Sequence, residues 1–344
     1  MKLLVFTQAL DRNDATLSVY HDWILALAKK FEKVTIICLK KGDCSVPENV
    51  MVLSLGKERG ASRLQYVWNF YRYVIATRKN YDSVFVHMNQ EYILLGGLLW
   101  KILGKKIYMW RNHHAGSFLT DVVARFCTHV FCTSKFSYTA KYTKSIIMPV
   151  GIDTEIFKKI TGTTKRERTI LFLARIAPVK KPHVLIAALD LLKHNGINFK
   201  ADIYGNPLAK DAEYAESLKK TVIDKGLSDS ISFCGGVPNA ETVRVYGEHD
   251  VFVNLSSSGM YDKTIFEAMA CETMVIASNN NLHGLIGEEY IFEEDNAQQL
   301  AEKLEKLLTL SVSDKEQRGR ELRKVVIEQH SLTGLAEKLA TIIS

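Results

Sequence analysis

Arg175 and Lys180 stand five residues apart on one stretch, Arg175-Ile176-Ala177-Pro178-Val179-Lys180-Lys181-Pro182, which leaves an apolar run at 169–174 and enters a helical pattern at Pro182. At the carboxyl end of a strand in an open α/β sheet, where ligands bind, two such cations can converge on one anion. Basic loop residues are also often merely solvated, so the spacing alone leaves both readings open. A second stretch runs from Asn254 to Ala270, through Ser256-Ser257-Ser258-Gly259-Met260-Tyr261-Asp262-Lys263-Thr264-Ile265-Phe266-Glu267. It reads as a strand end, a small-residue loop and a helix that begins near Thr264. The exposed N–H groups of such a helix start favour a diphosphate. Glu267, one turn inside, can hold a pair of sugar hydroxyls with its two carboxylate oxygens, or simply complement the helix dipole.

The alternatives that handle phosphates differently are missing their signatures. Neither half has Gly-x-Gly-x-x-Gly after its first strand, and there is no Walker A loop, which disfavours nicotinamide dehydrogenases and P-loop enzymes. No Asp-x-Asp pair or His/Cys cluster offers a metal site. The six cysteines (38, 44, 127, 132, 234 and 271) form no Cys-x-x-Cys pair and read as buried, reduced thiols of a cytosolic protein. The apolar opening at 1–6 turns polar at Asp11 and reads as a first strand rather than a signal peptide. The longest greasy stretch, 92–100, falls short of the ~20 residues of a membrane span.

Those sites need elements to hold them. At 344 residues, 47% of them hydrophobic, the chain fits two domains with real cores. Strands are predicted over 2–7, 34–38, 83–87, 106–110, 129–133 and 145–149, then over 169–174, 200–204, 230–234, 251–255 and 274–277. Helical periods occupy 17–30, 64–78 and 92–103, then 182–193, 213–225, 241–248 and 264–270, and the tail at 314–344 reads as two helices. Strands alternating with helices in this way predict an α/β class with parallel sheets built from βαβ units. A break falls at Pro149-Val150-Gly151-Ile152-Asp153, before a polar segment over 158–168. Charge divides there too. Residues 1–150 hold 21 Lys and Arg against 10 Asp and Glu, a net +11, and the remainder carries −4. The first half is therefore expected to meet something anionic. With no finger spacing and no RNA-binding signature, a membrane surface or a phosphate-bearing acceptor fits better than nucleic acid.

Val150-Gly151-Ile152-Asp153, Ala174-Arg175 with Lys180, and Phe266-Glu267-Ala268-Met269-Ala270, in that order and at those separations, resemble the GT-B retaining glycosyltransferases of family 4. The likeness covers essentially the whole chain and is strongest over 145–300. It implies two Rossmann-like, doubly wound parallel-sheet domains facing across a cleft: an acceptor-binding domain at 1–150, a nucleotide-sugar domain at 151–326, and a final helix at 327–344 crossing back to the first. By the same resemblance Arg175 and Lys180 grip the donor diphosphate, and Glu267 holds its ribose. Amides around Lys263 and Thr264 hold phosphate, while Gly205 and the 235–238 loop, with Val237 and Pro238, receive the base. The family's motif carries another Glu eight residues before Glu267, where this chain has Gly259; Asp262 is a substitute carboxylate or a plain turn residue.

In the first half the resemblance places a histidine near the transferred sugar, and His113 is favoured over His114. His87 is a third cleft candidate, and Asp14 or Asp11, on a loop expected over 7–14, would orient an acceptor hydroxyl or serve the turn. The aromatic and basic helix over 63–79 reads as a core stripe with snorkelling bases, or as a membrane-docking element. The implied enzyme needs no cofactor and no metal, takes a UDP- or GDP-sugar, and transfers to a glycan or lipid-linked hydroxyl with retention. Its expected place is the cytoplasm, either free or peripheral at the inner face of the membrane. The rivals are a nucleotide-sugar epimerase and, because of Gly259, a non-catalytic nucleotide-sugar binder.

Overall fold

Runs of β-branched and aromatic residues alternate with helical stretches along the chain, and every paired strand is parallel to its neighbours, as the alternation predicts. The computed structural model describes all residues except 14–18, 161 and 163–165. It divides into two units, Met1–Gly151 with Leu332–Ser344, and Ile152–Ser331.

The first unit runs β1 (Lys2–Leu10), α1 (Val19–Ala28), β2 (Lys33–Lys41), β3 (Val50–Ser54), α2 (Arg63–Ala76), β4 (Ser83–His87), α3 (Glu91–Ile102), β5 (Lys106–Trp110), α4 (Phe118–Phe126), β6 (His129–Cys132) and β7 (Ser145–Ile147). Its sheet has the order β3-β2-β1-β4-β5-β6-β7. Successive side chains of β1 enter opposite cores: Leu3 and Val5 pack with Trp23 and Leu27 of α1, while Leu4 and Phe6 pack with Phe70 of α2 and Trp100 of α3. Burial of both faces is why the strand reads as a continuous apolar run.

The second unit runs β8 (Thr169–Leu173), α5 (Pro182–His194), β9 (Lys200–Tyr204), α6 (Ala212–Asp224), β10 (Ile231–Gly235), α7 (Thr242–Gly247), β11 (Val251–Asn254), α8 (Lys263–Ala270), β12 (Met274–Ala277), α9 (Ala297–Leu308) and α10 (Val312–Val325). Its sheet order is β10-β9-β8-β11-β12. In both sheets the order reverses once, between β1 and β4 and between β8 and β11. Such switch points open the crevice in which doubly wound folds bind ligands. After a π-helical turn at Val326–His330, the last helix, α11 (Leu332–Ile343), joins the first unit. Its Leu335, Leu339 and Ile343 enter the core beside Trp23.

Several elements differ from the sequence reading. Strand β1 continues to Leu10, where its pairing with β2 persists through Leu10 and Lys41, so the loop expected from Thr7 starts at Asp11. Strand β3, α4 and α9 are additional. The helices had local signals: α9 is capped by Asn296, whose side chain accepts from Gln299 N–H, and buries Leu300, Leu304, Leu307 and Leu308 on one stripe. Among the described residues no helix is long and apolar enough to cross a membrane.

Candidate active site

The switch point of the second unit gathers most of the residues singled out in its sequence. Beyond β8, the Ala174 N–H donates to the Tyr204 carbonyl (3.1 Å) and the Ile176 N–H to the Asn206 carbonyl (3.3 Å), stitching this loop to the one after β9. The stitch requires Gly205, which sits at φ +140° where a β-carbon would stand 1.9 Å from the Ala174 carbonyl oxygen. The Gly205 N–H in turn donates to the Gly235 carbonyl at 2.7 Å. The ends of β8, β9 and β10 are thus locked together, with half-buried Val237 and exposed Pro238 just beyond β10. Arg175 is exposed at this rim and forms no ion pair among the described residues.

Lys180 lies on a 3-10 turn before α5, and its Nζ donates to Asp262 Oδ2 (2.7 Å) and Ser256 Oγ (3.0 Å). Asp262 is the N-cap of α8: its Oδ1 accepts from the Thr264 N–H (3.3 Å) and Thr264 Oγ1 (2.8 Å), and its Oδ2 also accepts from Ser256 Oγ (2.9 Å). Burial pushes the Asp262 carboxyl up, but the Lys180 charge and the bonds from Lys180, Thr264 and Ser256 prevail and hold it well below the usual carboxylate range. Two donors on each oxygen fill the capacity of a carboxylate. Asp262 therefore fixes Lys180 and the start of α8, and has no lone pair left over for a sugar hydroxyl.

Glu267 lies in the second turn of α8 and is buried, 6% exposed. Burial raises its pKa; the Lys263 charge and the Tyr246 hydroxyl, which donates to Oε2 at 3.1 Å, oppose the rise, and the Asp262 charge adds to it. Gly259 occupies a turn whose neighbours are tied down: the Ser258 hydroxyl accepts from the Asn280 N–H (2.8 Å), and the Met260 carbonyl accepts from Asn279 Nδ2 (2.8 Å). The structure thus brings Lys180, Asp262, Lys263, Thr264 and Glu267 onto one helix start and its facing loop. Sequence reasoning missed Ser256 and Tyr246. Ser256 had a weak signal, the first hydroxyl after a strand end; Tyr246 had none, because α7 reaches Glu267 only through the tertiary fold.

In the first unit, His87 ends β4 at the switch point and is 3% exposed, its ring 4.0 Å from that of Tyr20 and its Nδ1 3.4 Å from Thr7 Oγ1. His113 and His114 are exposed beyond β5 and stack at 4.5 Å. Nδ1 of His113 accepts from the Ala115 N–H at 2.9 Å, which leaves Nε2 as the nitrogen for a ligand. Asp11 closes an Asx turn by accepting from the Asn13 N–H at 3.0 Å. Asp14 lies outside the described residues.

Comparison with known proteins places this geometry. The α-monoglucosyldiacylglycerol synthase of Streptococcus pneumoniae is 30% identical over 208 residues, 54% of this chain and 46% of that protein. A D-inositol 3-phosphate glycosyltransferase of Frankia alni is 28% identical over 153 residues, 41% of this chain and 38% of that protein. The matched segments span less than half of either relative. The solved structure of Anabaena HepE in complex with UDP superposes with a TM-score of 0.80 at 16% identity, covering 100% of this chain and 99% of that one. At that identity the likeness establishes the fold, which is GT-B. A family model described as "Glycosyl transferases group 1" matches residues 153–331, the second unit almost entire. With the model covering more than half of its length, this chain belongs to the group 1 glycosyl transferases.

Proposed function

We propose that the protein is a metal-independent, retaining glycosyltransferase of the family 4 type, moving a sugar from a nucleotide diphosphate sugar to a hydroxyl of a glycan or lipid-linked acceptor. The observation that carries this reading is the second unit's switch point, where Lys180, on the loop that also bears exposed Arg175, is held against the capped start of α8. These groups supply positive charge and N–H donors to a leaving diphosphate, the service a metal performs in other transferases. The reading gives Glu267 to the ribose and the rim at Gly205, Val237 and Pro238 to the base. It gives the second unit to the donor and the first to the acceptor, with His113 near the transferred sugar. A UDP-sugar is the favoured donor, because HepE shares the fold and binds UDP.

In the reaction the bond from the anomeric carbon to the β-phosphate oxygen breaks, with its electron pair going to the phosphate. The acceptor oxygen then bonds to the same face of that carbon and gives its proton to the leaving phosphate. Arg175 and Lys180 offset the charge that develops there. The first unit, at net +11, meets an anionic membrane surface at the inner face. A second reading, a nucleotide-sugar binder without transfer, is favoured by one feature, Gly259 in place of the motif's carboxylate.

Calorimetry with UDP and GDP, followed by a mass-shift screen of UDP- and GDP-sugars against a panel of hydroxyl acceptors in EDTA, tests the proposal. Transfer in EDTA with the donor's anomeric configuration kept is expected. Turnover that appears only when Mg2+ or Mn2+ is restored, or an inverted product, would overturn it; binding with no transfer to any acceptor would establish the second reading.

A further inference from the structure

Helices α2, α3 and α4 lie side by side over one face of the first unit's sheet. Phe70 and Val74, Ile93 and Trp100, and Val123 and Ala124 all enter the same core. Neighbours touch directly: the Tyr71 hydroxyl donates to the Leu95 carbonyl at 2.9 Å, and Gly97 backs onto the Phe126 ring. A helix buried on one side normally turns polar residues to the other. Here the outer side is apolar as well. Helix α2 exposes Leu64 (83%) and Trp68 (71%), α3 exposes Leu94, Leu98 (65%) and Ile102 at four-residue intervals, and α4 exposes Phe118 (74%) and Leu119. Of the 19 exposed large hydrophobic side chains among the described residues, nine belong to these three helices, so the layer is an apolar face and not a scatter.

The charges on and between these helices are predominantly basic, with exposed Glu91 at the start of α3 and Asp121 of α4 as the acids among them. From residue 59 to 81 the chain carries Arg59, Arg63, Arg72, Arg78 and Lys79 and no acid. Lys101 and Arg125 continue the series on α3 and α4. At the α4 edge, an open depression of about 420 Å3 adds Lys141 and Lys144 around Phe118 and Tyr142. The acid there, Asp121, is occupied by the Tyr138 and Tyr142 hydroxyls and by Lys141. Apolar side chains that include a tryptophan, interleaved with arginines and lysines, suit the headgroup layer of a bilayer: the rings and aliphatic chains enter the acyl boundary while the cations stay among the phosphates. A second copy of the chain fits worse, because two such faces would oppose like charges.

We propose that the outer face of α2, α3 and α4 is the surface by which this protein docks on an anionic lipid bilayer. The proposal deepens the membrane contact in the function proposed above by naming the residues that make it. The full chain is sedimented with phosphatidylcholine vesicles and with vesicles containing about 30% phosphatidylglycerol, at ~0.1 M and ~1 M salt. Binding to the anionic vesicles alone, weakened at least about tenfold by the higher salt, is expected. The pair Trp68→Ser and Leu98→Ser should each lower that binding at least about fivefold, as both remove apolar insertion. The calorimetric transition of the first unit, the one that UDP does not move, should stay at the wild-type temperature in both, showing that they fold. Equal binding by wild type and both variants would overturn the proposal, as would binding to neutral vesicles alone. So would dimerisation that the Trp68 change abolishes without any vesicle binding. Vesicle binding by a chain with no affinity for UDP would instead remove the donor reading and leave this surface standing.

Discussion

Arg175 and Glu267 carry opposite kinds of burden, and their substitution should separate binding from folding. Arg175 is exposed, so Arg175→Ala should leave stability within ~0.5 kcal/mol while weakening UDP by ~1.5–3 kcal/mol, the usual range for a charged hydrogen bond. Wild-type calorimetric affinity in that variant would remove Arg175 from the diphosphate site. Glu267 is buried with a raised pKa. For an acid raised in the folded state, the unfolded chain releases its proton first, so stability falls as pH rises from the ordinary Glu value towards the folded one. Glu267→Gln removes that charge while keeping an acceptor for Tyr246. It should therefore match or exceed wild-type stability in urea at neutral pH and still bind UDP more weakly, a trade typical of functional residues. Reduced stability with unchanged UDP affinity would mean that Glu267 serves the fold alone. That Lys180, Thr264 and Glu267 would gather at one helix start was legible because each has a fixed offset from a strand end or helix start; the roles proposed for them and for Arg175 came with the resemblance. Tyr246 and the saturation of Asp262 were not, since they depend on which loops meet in space.

Helix α8 is gripped at both ends, and its far side supplies a pH prediction. His330, in the π-helical turn after α10, is 8% exposed, its ring 4.4 Å from Phe266 of α8 and 5.6 Å from Tyr261 of the loop before it. Burial lowers its pKa to about 4. The unfolded chain therefore takes up this proton first as the medium is acidified, so stability is lost between about pH 6.5 and 4 and the loss levels off below. At pH 5 the loss from this residue should be about 2 kcal/mol, and His330→Phe should lack it. Urea titrations at pH 7 and pH 5 decide: an equal acid loss in wild type and His330→Phe would show that His330 is not the titrating group. The π turn itself was hidden in the sequence, because 326–330 keeps an uninterrupted helical pattern and only the need to bury His330 and Val326 marks the change. Strand β3 was hidden for another reason: five residues at a sheet edge, buried only at Val50 and Ser54, leave no alternation to read. Helices α4 and α9 were overlooked although their signals were present: α4 opens on the capping box of Ser117, and α9 has the Asn296 cap and a leucine stripe at 300, 304, 307 and 308.

At the scale of the whole molecule, the alternation of strands and helices was enough to give two parallel sheets, because βαβ units leave little choice of class. The route of the chain between units is a separate matter: α11 follows the second unit in sequence yet completes the core of the first. Leu332, Leu335, Leu339 and Ile343 of α11 lie in that core with Trp23 and Ile24, and Lys30 pairs with Glu337 at 3.1 Å on its edge. At ~1.5–3 kcal/mol for each buried aliphatic side chain, those four contribute about as much as the net stability of a typical domain. A chain ending at Ser331 should therefore lose the first unit's fold while the second, whose core lies within 152–331, persists. UDP offers the means to tell the units apart. Binding to the second unit adds RT ln(1 + [L]/Kd) to its stability, about 2.7 kcal/mol at a hundredfold excess over Kd, and adds nothing to the first. Calorimetry of the full chain should show one transition that UDP moves upward and one that it does not; in the truncated chain only the UDP-responsive transition should remain. A truncated chain that keeps both transitions would show that α11 is dispensable to the first unit. A single transition lost altogether on truncation would show instead that the two units fold only together.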